Sequence, residues 1–167
     1  MVSRLRRRHW QAWMVMCGAL AIHIADEVLT GWLNWYNPAV RAIHEHYQLV
    51  LLPILLPVFT FKIWLSLLIF AVVSLSAASY FVWRGRWAMR PISHVFAVFM
   101  LVNALVHIAH SLYMREFMPG VYTSPLLIAA SIPLIVYTRA YQRERARHQD
   151  TQSVPPAVAG ESLNSID

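Results

Sequence analysis

Two groups of ionisable and amide side chains stand inside otherwise apolar stretches of this sequence, in the strings AIHIADEVL and NALVHIAHS. The candidate catalytic residues are His23, Asp26 and Glu27 in the first string, and Asn103, His107 and His110 in the second. Offsets of three, four and seven residues place the members of each string along one face of a helix. Histidine and carboxylate groups at this spacing can ligate a divalent metal or exchange protons with a substrate.

Three chemistries fit these residues, and the sequence leaves all three open. The set His23, Glu27, His107 and His110 can supply four ligands to zinc or iron, and such a metal can activate water. Without a metal, the carboxyl groups of Asp26 and Glu27 can donate protons, with a neutral histidine as the partner base. The groups can also relay protons or ions through the protein. The simplest alternative is that they only hydrogen-bond across helices and fix their register.

The elements that must position these residues are long apolar segments. Hydrophobic residues make up 58% of the 167-residue chain and charged residues only 13%, against about 25% charged in an ordinary soluble domain. This composition excludes a disordered chain and argues against a small soluble enzyme. Four segments, at residues 10–33, 63–83, 91–114 and 118–138, reach the roughly 20 residues that a membrane-spanning helix needs. The sequence therefore predicts an all-α, four-span transmembrane helical bundle.

Basic residues set the predicted orientation of these spans. Eleven of the 14 Lys and Arg residues flank the spans on one side, and Arg41, Lys62 and Arg115 lie on the other. Because short cytoplasmic loops carry the excess of positive charge, both termini are predicted to be cytoplasmic, in a cell inner (plasma) membrane. The bases flank apolar segments and do not share a face with interleaved aromatic residues, so the lipid bilayer, and not nucleic acid, is the expected partner. The oligomeric state stays open.

The two groups of polar residues are predicted to lie at the same depth in the bilayer. At about 1.5 Å per residue from the basic side, His23 and Asn103 both lie about 18 Å into the membrane. An ionisable side chain near the bilayer centre costs at least about 2.5 kcal/mol when it is exposed to lipid. The two stripes are therefore predicted to face each other, or a watery cavity, between the first and third spans.

The segments outside the spans have three predicted roles. Residues 1–9 form a basic N-terminus, and residues 139–167 a basic and then disordered tail, which is polar from Gln149 onward. Residues 34–62 form an outer-side connection. Its apolar stretch Leu49–Phe61 is broken by Pro53 and Pro57 and is predicted to be re-entrant or interfacial. His44 and His46 in this connection are candidates to fold over the outer opening of the predicted polar site.

The run His23-Ile24-Ala25-Asp26-Glu27 resembles the motif of a family of small multi-pass bacterial membrane proteins named for HXXEE, with Asp26 where the family has glutamate. The resemblance continues in Asn103–His107 and in the run PGVYTS at residues 119–124, and it covers roughly residues 10–138. The family has no established activity, so the resemblance implies where the site lies and not what it does. The Pro-Gly pair in PGVYTS predicts a tight turn and then a helix whose free amides can bind an anionic group.

The leading functional hypothesis is an intramembrane enzyme that acts on a lipid-like or apolar small molecule. His23, Glu27 and His107 are its core residues, and metal-assisted hydrolysis is preferred over metal-free proton transfer. A transporter or proton-coupled binding module is the first alternative, and a structural or partner-binding subunit is the second. Four helices without an inverted repeat favour a site over a transport pathway.

Overall fold

A computed structural model describes residues 2–47 and 52–153, and helices dominate this part of the chain. In chain order the helices are α1 (Val2–Thr30), α2 (Trp32–Tyr47), α3 (Leu52–Leu55), α4 (Phe61–Trp83), α5 (Met89–Met114) and α6 (Ser124–Ser153). Four of them, α1, α4, α5 and α6, are long and apolar enough to cross a membrane. The predicted all-α bundle with four spans is confirmed.

The four long helices share one core, with α6 lying along both α1 and α5 and α4 packing along α1. Four core side chains of α1 and α6 are completely buried: Trp13, Met16, Leu127 and Leu134. The indole Nε1 of Trp13 donates a hydrogen bond of 2.9 Å to a backbone carbonyl of α4. Most apolar side chains of α4, such as Phe70, point away from this core, as lipid-facing side chains do.

The first span differs from its prediction at both ends. Residues 2–9, predicted as a separate basic N-terminus, belong to α1, because the segment contains good helix formers and neither glycine nor proline. At the other end, Gly31 adopts a φ of 75° and α1 stops at Thr30. Since glycine occupies this left-handed conformation at little cost, it ends the helix three residues earlier than predicted.

The connection at residues 34–62 is more regular than predicted. Its first part is the helix α2, which buries Leu33 and Val40. These two residues are seven positions apart and so lie on the same helix face. Pro38 lies inside α2 and removes only one helical amide donor. The predicted re-entrant stretch falls partly on residues 48–51, outside the described residues.

The rest of that connection is tied to α2 by one side chain. After α3, residues 57–60 run without regular structure to the start of α4. The amide nitrogen of Asn37 donates to the carbonyl of Phe59 at 2.8 Å, and its oxygen accepts from the amide of Phe59 at 3.1 Å. This pair of hydrogen bonds holds the segment before α4 against α2, beside the end of α1.

The last span also begins and ends later than predicted. Residues 119–123 form turns, Gly120 has a φ of 84°, and α6 starts at Ser124 instead of residue 118. At its far end α6 continues to Ser153, so the tail predicted to be disordered from Gln149 begins inside the helix. No proline or glycine interrupts the chain between Pro133 and Pro155, so the helix can extend past the apolar segment. Residues 154–167 lie outside the described residues.

Candidate functional site

Three of the predicted residues meet at one point between α1 and α5. The carboxylate oxygen Oε1 of Glu27 lies 3.5 Å from Nε2 of His23 and 3.3 Å from Nε2 of His107. The two imidazole rings stand edge to face, with centroids 5.0 Å apart. All three residues are buried, and each offers one ligand atom within 4.8 Å of the other two. The two polar stripes therefore face each other, as their depths predict.

The second nitrogen of His23 is held by the turn that precedes α6. Nδ1 of His23 lies 2.8 Å from Oγ1 of Thr123. That hydroxyl is also 2.9 Å from Oδ2 of Asp26, which accepts a further hydrogen bond of 3.1 Å from the backbone amide of Thr123. Because a carboxylate oxygen only accepts, the hydroxyl proton of Thr123 points to Asp26, and Nδ1–H of His23 donates to the hydroxyl.

This network assigns the proton of a neutral His23 to Nδ1 and leaves a lone pair on Nε2. That lone pair faces the carboxylate of Glu27, so two acceptors stand 3.5 Å apart in a buried site. Nδ2 of Asn103 lies 3.2 Å from the same Nε2 and donates to it. The arrangement attracts a positive charge between His23 and Glu27, and either a proton or a metal ion supplies one.

Gly120 allows the turn to lie directly against both imidazoles. A Cβ atom at this position would stand 2.8 Å from Cε1 of His107 and 3.0 Å from Cε1 of His23. Real side chains do not approach so closely, so position 120 requires glycine for space as well as for its φ. The turn therefore packs against the Cε1 edge of both rings.

Thr123 and Gly120 are the site residues that sequence reasoning missed, although both belong to the run PGVYTS. The sequence predicts free amides there that can bind an anionic group, and the anion they bind is the carboxylate of Asp26. Asp26 and Glu27 are adjacent in α1 and therefore point in different directions. Glu27 faces the histidines, and Asp26 holds the turn.

His110, His44 and His46 lie outside the cluster of His23, Glu27 and His107. The ring of His110 packs edge-on against Trp35 of α2, with centroids 4.5 Å apart. Its Nε2 is buried and has no hydrogen-bond partner among the described residues. His44 and His46 also stay outside the cluster of potential metal ligands. The ring of His46 packs against Tyr47, with centroids 4.7 Å apart.

Two cavities adjoin the group on different sides. The larger, about 290 Å³, has Glu27 in its wall together with aromatic and amide side chains; they include Trp32, Asn34, Asn37, Phe59 and Trp64. The smaller, about 140 Å³, has His107 in its wall; its other lining residues include Asn103, His110, Trp32, Trp35 and Met118. The cluster is therefore buried yet reachable, and each cavity combines polar groups with aromatic walls.

The two distances from the Glu27 carboxylate to the imidazole nitrogens match those between neighbouring ligands of a tetrahedral metal. Zinc bonds to imidazole nitrogen and carboxylate oxygen of about 2.0–2.1 Å hold neighbouring ligand atoms about 3.3–3.4 Å apart. The observed separations from Glu27 Oε1 are 3.3 and 3.5 Å. Two histidines and one carboxylate also leave a fourth position for water, as in catalytic zinc sites. If His23 held a metal, its contact through Nδ1 with Thr123 would be the outer hydrogen bond that orients the ring.

A family model described as a protein of unknown function with HXXEE motif matches residues 13–138. The match covers most of the chain and includes α1 from residue 13 onward, α5 and the turn before α6, so the chain belongs to this family. No curated protein and no solved structure matches it.

Proposed function

We propose that this member of the HXXEE family is a membrane-embedded metalloenzyme that acts on a lipid-like or apolar small molecule. His23, Glu27 and His107 would hold one zinc or iron ion. The observation that carries the proposal is the placement of three buried donor atoms, with the carboxylate oxygen 3.3 and 3.5 Å from the two imidazole nitrogens. A metal held by these groups supplies a water molecule activated for hydrolysis.

The surrounding residues would orient the ligands and bind the substrate. Asp26 and Thr123 fix the ring and the tautomer of His23. Asn103 donates to Nε2 of His23 at 3.2 Å, and its amide would be free for another partner if that nitrogen held a cation. Asn103 and His110 line the same 140 Å³ cavity, so both can hydrogen-bond a polar group of the substrate beside the metal site.

The expected membrane setting suits such a substrate. The excess of arginine at one end of the bundle favours cytoplasmic termini in the plasma membrane, which would place the cluster in the outer half of the bilayer. The aromatic side chains of Trp32, Trp64 and Phe59 line the cavity beside Glu27. An amphipathic molecule can therefore place an apolar part against these rings while a polar group reaches the cluster.

Metal content tests this proposal. The detergent-purified protein is dialysed against zinc, then washed, and its zinc is measured by elemental analysis. We expect one zinc per chain in the wild type and a loss of zinc in His23→Ala and His107→Ala. His94→Ala is the matched control, because His94 also lies on α5 but outside the cluster. Zinc content that is unchanged in His107→Ala would contradict the proposal.

A second candidate is metal-free proton transfer by the same residues. One observation that favours it is the continuous series of hydrogen bonds from Asp26 through Thr123 to His23. A second is that the amide of Asn103 donates a hydrogen bond to Nε2 of His23, so this nitrogen has a partner without a metal. This candidate predicts that the wild type contains no stoichiometric metal. It also predicts that Glu27→Gln abolishes turnover while the fold is kept.

A further inference from the structure

Arg90 lies at the start of α5, far along the helix from the metal-site cluster. Its Nε and Nη2 atoms are buried and have no hydrogen-bond partner among the described residues. The guanidinium lies over the ring of Tyr141 of α6, 4.7 Å from its centroid. A buried charged donor without a partner is costly. An orphaned group of this kind therefore points to a ligand that the protein binds there.

Basic and hydrogen-bonding side chains lie near Arg90 and the ring of Tyr141. At Gly85, in the turn between α4 and α5, a Cβ atom would stand 3.1 Å from the hydroxyl of Tyr141 and 3.2 Å from Cδ of Arg6. Arg6 and Tyr141 thus converge on the same turn. The ring of His9 lies 6.1 Å from that of Tyr141. The group that fits among these side chains is an anion.

His9 does not pair with these two nitrogens of Arg90. The hydroxyl of Ser93 donates to the carbonyl of Met89 at 2.6 Å, so it must accept from Nε2 of His9, which lies 3.0 Å away. His9 therefore uses Nε2–H within the core. Neither Nε nor Nη2 of Arg90 has an acceptor among the described residues, so a bound anion can supply one.

An apolar groove lies beside this turn, between α1 and α4. It has a volume of about 520 Å³, and its lining residues include Arg7, Trp10, Ser79, Tyr80 and Trp83. The rings of Trp10 and Trp83 pack edge to face, with centroids 5.1 Å apart. Arg84 is fixed at its edge, because its Nε donates to the hydroxyl of Tyr80 at 2.9 Å.

We propose that this end of the bundle binds one anionic phospholipid. Its phosphate contacts Arg90 and Arg6, and an acyl chain lies in the groove beside Trp10 and Trp83. A guanidinium donates two parallel hydrogen bonds to phosphate oxygens, which satisfies both orphaned nitrogens of Arg90. Fixed arginines beside an apolar groove match an amphiphile with an anionic head. A free anion would leave the groove unused.

Lipid titration of the purified full-length chain tests this site. Binding of phosphatidylglycerol, phosphatidylcholine and inorganic phosphate is measured by native mass spectrometry for the wild type and for Arg90→Gln. The matched control is Arg139→Gln, which removes the same charge from an exposed position of α6. We expect Arg90→Gln to weaken phosphatidylglycerol binding about tenfold or more, and Arg139→Gln to weaken it less than about twofold.

Two further variants keep the test decisive if Arg90→Gln folds poorly. Arg90→Lys keeps the charge but not the planar pair of donors, so it should also weaken phosphatidylglycerol binding. Trp10→Ala should weaken binding of the lipid and leave binding of inorganic phosphate unchanged. Equal losses in Arg90→Gln and Arg139→Gln would overturn the site, since they indicate diffuse attraction. Inorganic phosphate binding as tight as lipid binding would overturn the assignment of a lipid.

Discussion

Replacing Gly120 with alanine should move both imidazoles of the proposed metal site. The new Cβ would stand 2.8 Å from one ring carbon of His107 and 3.0 Å from one of His23, at a backbone φ of 84°. The left-handed conformation costs an alanine about 1–2 kcal/mol. Overpacking against buried groups costs about 1–3 kcal/mol more. The free energy of unfolding should therefore fall by about 2–5 kcal/mol.

The matched control for this substitution is Gly85→Ala at the opposite end of the bundle. Gly85 has a φ of 68°, and its nearest contacts are the hydroxyl of Tyr141 and the flexible side chain of Arg6. It should lose about 1–2 kcal/mol from its backbone conformation and bind zinc like the wild type. Gly120→Ala should bind zinc at least about tenfold more weakly, since displaced ligands lose metal affinity.

Two assays separate the effects at Gly120. Reversible unfolding in detergent measures stability, and competition with a chelator measures zinc affinity. A Gly120→Ala protein whose zinc affinity equals that of Gly85→Ala would refute the reasoning that position 120 holds the two histidines in place.

Three further substitutions test single contacts. Thr123→Val removes the hydroxyl that orients His23 and should lower zinc affinity about 10–100-fold, whereas Thr123→Ser should retain it; equal affinities in a chelator titration would count against this role. Asn37→Ala removes both hydrogen bonds to Phe59, so amide exchange measured by mass spectrometry should rise at residues 58–60, and unchanged protection would disprove the tie. Trp13→Phe removes the indole donor between α1 and α4 and should destabilise the protein by about 1–2 kcal/mol in reversible unfolding, while an unchanged midpoint would show that this hydrogen bond adds nothing.

The polar stripes of α1 and α5 could be predicted from the sequence because ionisable residues are costly in apolar helices. That cost leaves few arrangements, and the offsets within each string identify the shared faces of His23, Glu27 and His107. The spans of α4 and α5 were also predicted to within two residues at each end. Their charge-free interiors and flanking arginines define them without help from other parts of the chain.

Contacts between distant parts of the chain could not be predicted from periodicity. Thr123 contacts His23 and Asp26 across 100 and 97 positions, and no local pattern encodes that pairing. His110 lies on the predicted face of α5, but its ring packs on Trp35 of α2. The segment that contains Trp35 is predicted from the sequence to be a connection, and this prediction gives His110 no partner.

Asp26 of the HXXEE motif has a structural role at the turn before α6. Asp26 stands where the family has glutamate, and its side chain is shorter by one methylene. In the structure Asp26 accepts from the amide and the hydroxyl of Thr123, at 3.1 and 2.9 Å. Asp26 therefore holds the turn against α1 and lies outside the donor set of His23, Glu27 and His107.

X-ray absorption at the zinc edge of the zinc-loaded protein tests whether His23, Glu27 and His107 hold the metal. We expect a shell of nitrogen and oxygen donors at about 2.0–2.1 Å with scattering from two imidazoles. We also expect His107→Ala to reduce that scattering to one imidazole or to abolish binding. A shell that contains sulfur, or wild-type scattering that persists in His107→Ala, would place the metal elsewhere and contradict the proposed site.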